Sequence, residues 1–443
     1  MNNTLAQQFN FRSLLQFSFP TIVMMIFMSL YTMVDGVFVS RFVGTNGLSA
    51  VNIVYPVTSI VVAVGVMLAT GGSAVIARKM GEGRSGEARQ DFSMIVLVGI
   101  FLGISISLAG LIFIHPLLRL LGANDAVYGL CYDYAFVLLF FIPAGVLQML
   151  FQTLLVTAGK PVLGLGITVL GGVANIVLDY VFIVPMEMGI SGAAAATGIG
   201  YSIPAVFGLI YFALYRKGSL CFVRPVWRRE VLFKSCGNGA SEMVTNLSTA
   251  VTTLLFNVIM MRTLGENGVA AITIVLYAQY LLTAVYLGYA TGIAPVFSFK
   301  YGCSDNRQIR KIFRISVCFI LGCSAVSLGI ALLFAGPIVT IFAPEGNPVY
   351  ALAVHGFHLF SLCFLFTGVN IFASALFTAF SNGIISALLS FLRTFVFIVL
   401  GLLIMPEVIG VDGVWLAIPV AELLGMIVSL IFLWKKRNFY HYA

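Results

Sequence analysis

Charge is what this chain has least of. Of its 443 residues, 9% are Asp, Glu, Lys or Arg, against 60% hydrophobic, and the mean hydropathy is +1.06. Too few polar residues exist to cover a water-soluble surface, so the composition excludes a soluble protein. There are only four histidines, and neither HExxH nor CxxC occurs, so metal hydrolysis has no ligand set. His355 and His358 lie close together but have no third ligand. No nucleophile, base and metal set converges on one surface, and no enzyme or cofactor is expected. The seven cysteines, at 131, 221, 236, 303, 318, 323 and 363, show no paired spacing, which predicts free thiols. The residues up to Phe11 are polar and the first apolar run is too long for a signal-peptide core, so no cleaved leader is expected.

What is there is apolar sequence. Runs long enough to span a bilayer, roughly 20 residues each, fall at about 14–40, 48–77, 92–118, 131–158, 162–184 and 190–215. A basic linker, 216–234, follows. Six more runs lie at about 236–261, 270–299, 312–341, 352–379, 383–405 and 411–434. The fold class is therefore an all-α polytopic membrane protein of twelve transmembrane helices. The net charge of +8 is no nucleic-acid signature, because its distribution is one of alternating loops. With the N-terminus inside, 20 of the 24 Lys and Arg fall on the inner side, three (Arg41, Arg119, Arg262) outside, and Arg393 within a span. That split predicts both termini in the cytoplasm of a cell (inner) membrane.

The chain also repeats itself. A shift of 221 residues aligns its halves without a gap: RFVGTNGLSAVNIV from Arg41 lies on RTLGENGVAAITIV from Arg262, and 15 of the 41 positions from 41 to 81 are identical. Pro116 meets Pro337, and Pro185 meets Pro406. Six helices per repeat is an even number. The halves must then run the same way through the membrane, as two six-helix lobes (1–215 and 235–443) related by a pseudo-two-fold axis along its normal.

A few polar residues sit where they are costly. Asp35 lies in the far third of the first run, and a carboxylate within such a run costs on the order of 2.5–3.5 kcal/mol at the helix centre. Arg41 could satisfy it, but lies beyond the run. Pro20 in the same run removes one helix hydrogen bond and permits a kink. Tyr31 stands one turn before Asp35. Asn175 and Asp179, four apart in VLGGVANIVLDYVFIVP, share one helix face. Two carboxylates in one low-dielectric pocket cannot readily both be charged, which suits a shared proton. The same oxygens could hold Na+. Gln148 and Gln152 share a face of the fourth helix and could line a cavity, as could Glu242, Asn246 and Arg393. Arg393 and Glu422 could pair structurally. The position repeat-related to Asp35 is Phe256, so the two lobes are not chemically equivalent.

With Pro20, SLYTMVDGVFVSRFVGTNGLSAV, Ala69 to Gly83, TLLVTAGKP and the gap-free six-helix repeat in view, the chain resembles the MATE (multidrug and toxic compound extrusion) family over its whole length. The match is closest to the DinF-like and bacterial multidrug branch. The resemblance implies two V-shaped lobes around a central cavity and export of small, lipophilic or cationic compounds, drugs or metabolites, in exchange for H+ or Na+. It implies a cation site formed by Asp35, Asn175, Asp179 and Thr197, with Pro20 bending the first helix. The sodium-using branch has a glutamate deeper in helix seven and an aspartate in helix ten. Here the seventh-helix position falls near Thr249 and helix ten has no acid, which argues against such a site. A flippase for a lipid-linked precursor or polysaccharide is the alternative, but its cavity would need more cations than Arg393. The expected partners are small-molecule substrate and membrane lipid, the expected state a monomer.

Overall fold

The chain, seen as a computed structural model that describes residues 4–442, has only helices as its described regular elements. The first lobe holds α1 (Phe11–Phe38), α2 (Thr45–Gly81), α3 (Ser85–Ile112), α4 (Tyr128–Thr157), α5 (Pro161–Ile183) and α6 (Gly189–Leu214). The second begins with one helical run, Arg229–Gly302, which doubles back at Gly265 and so forms two spans, α7 (229–264) and α8 (266–302). It continues with α9 (Asn306–Leu333), α10 (Pro348–Ala379), α11 (Gly383–Ile409) and α12 (Val411–Tyr440). Every run read as a span is a helix.

The repeat is visible in the backbone. Gly265 has φ 66°, and its counterpart 221 residues earlier, Gly44, has φ 93°. Both sit at the sharp reversal between the first two helices of a lobe, in a left-handed conformation that costs a side-chain-bearing residue. The third helix of each lobe ends earlier than the hydrophobic runs predict, at Ile112 and Leu333 rather than near 118 and 341. The breaks at Phe113 and Phe334 are repeat-related, and each lies three residues before a proline, Pro116 or Pro337. Proline has no N–H to give to the carbonyl four residues back, so the chain turns and restarts as a short helix.

The lobes meet along glycines. A side chain on Gly81 would collide with the Phe299 carbonyl, and one on Gly302 with the Arg78 carbonyl. These two contacts map onto each other under the 221-residue shift. A second symmetric pair sets Gly71 of α2 against Gly239 of α7, and Gly292 of α8 against Ser18 of α1. Two helices approach this closely only where a Cβ is absent or small. The seam lies where both ends of the chain lie: Lys300 Nζ donates to the Ala6 carbonyl at 3.1 Å, and Tyr440 packs on Tyr301. Glycine thus closes the two lobes on the terminus side.

The linker is not free. Arg89 donates to the Gly218 and Ser219 carbonyls, the Val223 N–H donates to Ser93 Oγ at 3.0 Å, and α7 already starts at Arg229, inside the predicted linker. Its anchor is ionic. Asp91 is fully buried on α3 and pairs with Lys79 of α2 and, at 3.1 Å, with Arg228. Removing one member of a buried ionic cluster strands the others in low dielectric. Asp91→Ala is therefore expected to destabilise the protein by about 3–5 kcal/mol, read as a lowered Tm in detergent. A Tm within roughly 1 °C of the parent, far less than such a loss should produce, would contradict the clamp.

Candidate cation site

α1 is shared between the lobes. Its first half packs on the second lobe: Cβ atoms on Gly288 and Gly292 of α8 would run into Thr21, Ile22 and Ser18. Its second half packs on α5: a Cβ on Gly172 would lie 2.5 Å from Phe27 Cε1 and 3.3 Å from Tyr31 Cδ1. Pro20 sits in the first of these contacts, inside the continuous helix. The glycines of α5, Gly171 and Gly172, let α1 and α6 come close, and a Cβ on Gly200 of α6 would stand 3.0 Å from Asn175 Cβ.

This packing brings Asp35 of α1 and Asp179 of α5 face to face. Asp179 and Asn175 are buried, at 0% and 4% exposure. No described ion pair or hydrogen bond links Asp35 to Arg41, which is exposed, so the simple capping explanation fails. Tyr31 stands beside both Asp35 and Gln148. Tyr134 of α4 stands near both carboxyls, and Tyr201 of α6 near Asp35. Those two tyrosines were not singled out by sequence, where they are two among 17. Thr197 is half-buried one turn before Gly200 on α6, and no described contact ties it to the carboxyls.

The polar atoms here are unusually poorly partnered. Among the described residues, thirteen buried side-chain oxygen or nitrogen atoms have no hydrogen-bond partner. Six belong to Asp35, Gln148, Asn175 and Asp179. An orphaned buried polar group costs about 1–3 kcal/mol. Five of the six are acceptor oxygens, the sixth being Asn175 Nδ2, and five such oxygens in one pocket are explicable if it is meant to hold something with positive charge. Two acids, an amide carbonyl and surrounding hydroxyls are oxygen donors suited to a proton or a hard monovalent cation.

Other candidates separate from this pocket. Gln152 donates to Thr168 Oγ1 at 2.9 Å and serves helix packing. In the second lobe, Arg393 lies in a π-helical turn of α11 (Leu392–Val396) and pairs with Glu422 of α12 at 3.8 Å. Glu422 also accepts from Asn370 Nδ2 at 2.7 Å. Glu242 is half-buried near Arg393, and Asn246 donates to its backbone carbonyl. His355 bonds Asp412 at 2.8 Å, His358 faces the Leu332 carbonyl, and no metal-capable group of His, Cys, Asp and Glu exists among the described residues. All seven cysteines are free. An apolar crevice beside Tyr201, lined by Val61, Leu138 and Met149, leaves about 30 Å³, room for about one water. A drug-sized molecule needs more. Tyrosines of the two lobes face one another elsewhere: Tyr55 of α2 lies near Tyr277 of α8, and Tyr280 of α8 beside Ser29 of α1.

The MatE family model matches twice, over residues 20–181 and 242–403, one match in each lobe. The chain belongs to the MATE family. The multidrug export protein MepA of Staphylococcus saprophyticus is 21% identical over 433 residues, covering 97% of this chain and 94% of that protein. An FAD transporter of Shewanella oneidensis is 25% identical over 424 residues, covering 93% and 92%. A crystal structure of MATE in complex with MaL6 superposes with a TM-score of 0.95 at 23% identity over the whole of both chains. An outward-facing multidrug resistance MATE transporter superposes with 0.93 at 24%, covering 100% of this chain and 99% of that one. The two-lobe MATE fold is thus this chain's fold, and its members are transporters, not enzymes.

The contact between Gly172 and α1 gives a test of the geometry. Gly172→Val would overpack the α1–α5 interface, at a cost of about 1–3 kcal/mol, and push Asp35 away from Asp179. The expected outcome is a folded transporter with a modestly lowered Tm and sharply reduced efflux. Efflux at the parent level would show that the approach of α1 to α5 is not needed.

Proposed function

We propose that this MATE transporter is a secondary antiporter. It exports small lipophilic or cationic compounds by alternating access, in exchange for H+ or Na+ taken up at Asp35, Asn175 and Asp179. The observation that carries the reading is the pair of facing carboxyls with unpartnered oxygens on two helices, one of which also touches the opposite lobe. A cation arriving there changes the charge on the α1–α5 contact. Because the first half of α1 is seated on α8, any shift of its second half is felt at the lobe interface. A ligand moves an equilibrium only by its differential affinity for two states, and a carboxyl pair that must close around a cation has such a difference built in. The tyrosines between the lobes offer aromatic faces to a cationic substrate, and the Staphylococcus relative named as a multidrug exporter agrees with that substrate class. With both termini in the cytoplasm, as the loop charges favour, the glycine seam closes the inner side and the substrate leaves outward.

A second reading has one observation behind it: a relative of comparable similarity is an FAD transporter, whose cargo is anionic. Arg393 could serve such a cargo, but it is paired with Glu422 and has Glu242 nearby, which leaves little net positive charge. The flippase alternative meets the same objection.

The test is efflux of a fluorescent lipophilic cation from vesicles under an imposed H+ or Na+ gradient. Asp35→Asn and Asp179→Asn are each expected to reduce gradient-driven efflux to the level of empty vesicles while leaving the protein folded. Intact coupled efflux in both variants would refute the site.

A further inference from the structure

The sequence spends four positive charges on two turns of one helix, and the antiport mechanism uses none of them. At the start of α9, Arg307, Arg310, Lys311 and Arg314 are all exposed. With Phe11, the first residue of α1, and Asn306 they line an open notch of about 660 Å³. The spacing 307, 310, 311, 314 is that of a single helix face. No described carboxylate pairs with any of the four, and among the described hydrogen bonds only Arg310 has a partner, the His441 carbonyl at 3.2 Å. The nearest acid in sequence, Asp305, is turned to capping: it accepts from the Gln308 N–H and lies 3.8 Å from Lys300.

The same face changes character farther along. Its exposed positions continue as Cys318, Leu321, Ala325 and Val326, with Leu321 at 52% and Val326 at 61% exposure. A cationic notch at the membrane surface therefore runs without interruption into an apolar stripe that faces the hydrocarbon. That is the shape of a phospholipid with an anionic headgroup: phosphate oxygens on the guanidinium and ammonium groups, acyl chains on Leu321 and Val326, and Phe11, 55% exposed, against the glycerol region. Alternating loop charge explains why cations lie on this side of the membrane. It does not explain why four share one helix face over a cavity with no described counter-ion.

We propose that this notch is a binding site for an anionic phospholipid, and that the bound lipid braces the closed terminus side. The second half follows from position. Phe11 belongs to α1, and the four cations belong to the opposite lobe. The two are already tied by the Phe9 N–H donating to Gln308 Oε1 at 3.1 Å and by Lys300 donating to the Ala6 carbonyl. A headgroup lying between Phe11 and α9 touches both lobes at the end of the helix that carries Asp35.

The test uses the full-length protein in nanodiscs of phosphatidylcholine with rising fractions of phosphatidylglycerol, read by native mass spectrometry for retained lipid and by substrate efflux in matched vesicles. Arg307→Gln/Lys311→Gln/Arg314→Gln is expected to lose retained phosphatidylglycerol by about fivefold per cation removed, and to lose the stimulation of efflux by that lipid. Arg307→Lys/Arg314→Lys, which keeps the charge, should retain both. Removing three linker cations instead, Arg216→Gln/Lys217→Gln/Arg224→Gln, should change neither. Equal loss in the linker variant would reduce the effect to general surface charge and overturn the site. Full displacement of the lipid by millimolar inorganic phosphate would make it a free-anion site and overturn it as well. Lipid retained by the notch but without effect on efflux would overturn the bracing role.

Discussion

Two carboxyls, Asp35 and Asp179, face each other across a helix contact with no described cation of the protein's own to pair with. Asp35 and Asp179 are placed by backbone packing rather than by polar contacts: Gly172 and Gly171 let α1 and α6 lie against α5, and Asn175 fills the space opposite Gly200. Elsewhere the protein balances its buried charges. Asp91 has Lys79 and Arg228, and Glu422 has Arg393 and Asn370. The contrast within one chain is informative. Asp91 and Glu422 have basic partners, and Asp35 and Asp179 have none among the described ion pairs.

α1 packs on both lobes, which is what the proposed coupling requires. Its capped start, where Asn10 Oδ1 accepts from the Ser13 N–H and Ser13 Oγ from the Asn10 N–H, is held on the second lobe. Its far half, beyond Pro20, leans on α5. The missing hydrogen bond at Pro20 lowers the stiffness of the helix within the stretch seated on α8, ahead of the part that leans on α5. The seam of Gly81 and Gly302 supplies the other requirement, an interface in near contact on one side of the membrane. Close backbone packing of this kind has few intermediate arrangements, which suits the proposed alternation between two states.

Much of this was legible in residue types. Asp35, Asn175 and Asp179 stood out because an acid in an apolar run is rare and costly, and the helical period put the latter two on one face. The twelve spans and the repeat were plain in hydropathy and identity, and the repeat reappears in the paired turns at Gly44 and Gly265 and the paired breaks at Phe113 and Phe334. What sequence did not disclose depends on packing between distant segments. Tyr134 and Tyr201 are unremarkable tyrosines until α4 and α6 close on α5. The bond of Gln152 to Thr168 likewise joins two helices and has no mark in the sequence. Gly81 and Gly302 aligned in the repeat, but only the fold shows that each lies against the helix that carries the other. The docking of the linker on α3 likewise needed coordinates, because Ser93 and Arg89 carry no local mark of their partners.

The central claim is that cation occupancy of the carboxyl pair sets the state of the glycine seam. The most direct measurement is the distance between spin labels at Ser85 and Ser304, exposed positions on either side of that seam, in protein whose native cysteines have been replaced. The account predicts that the distance distribution shifts as pH is lowered or Na+ is added, and that Asp35→Asn/Asp179→Asn abolishes the shift. A shift of the same size in the double variant would contradict it.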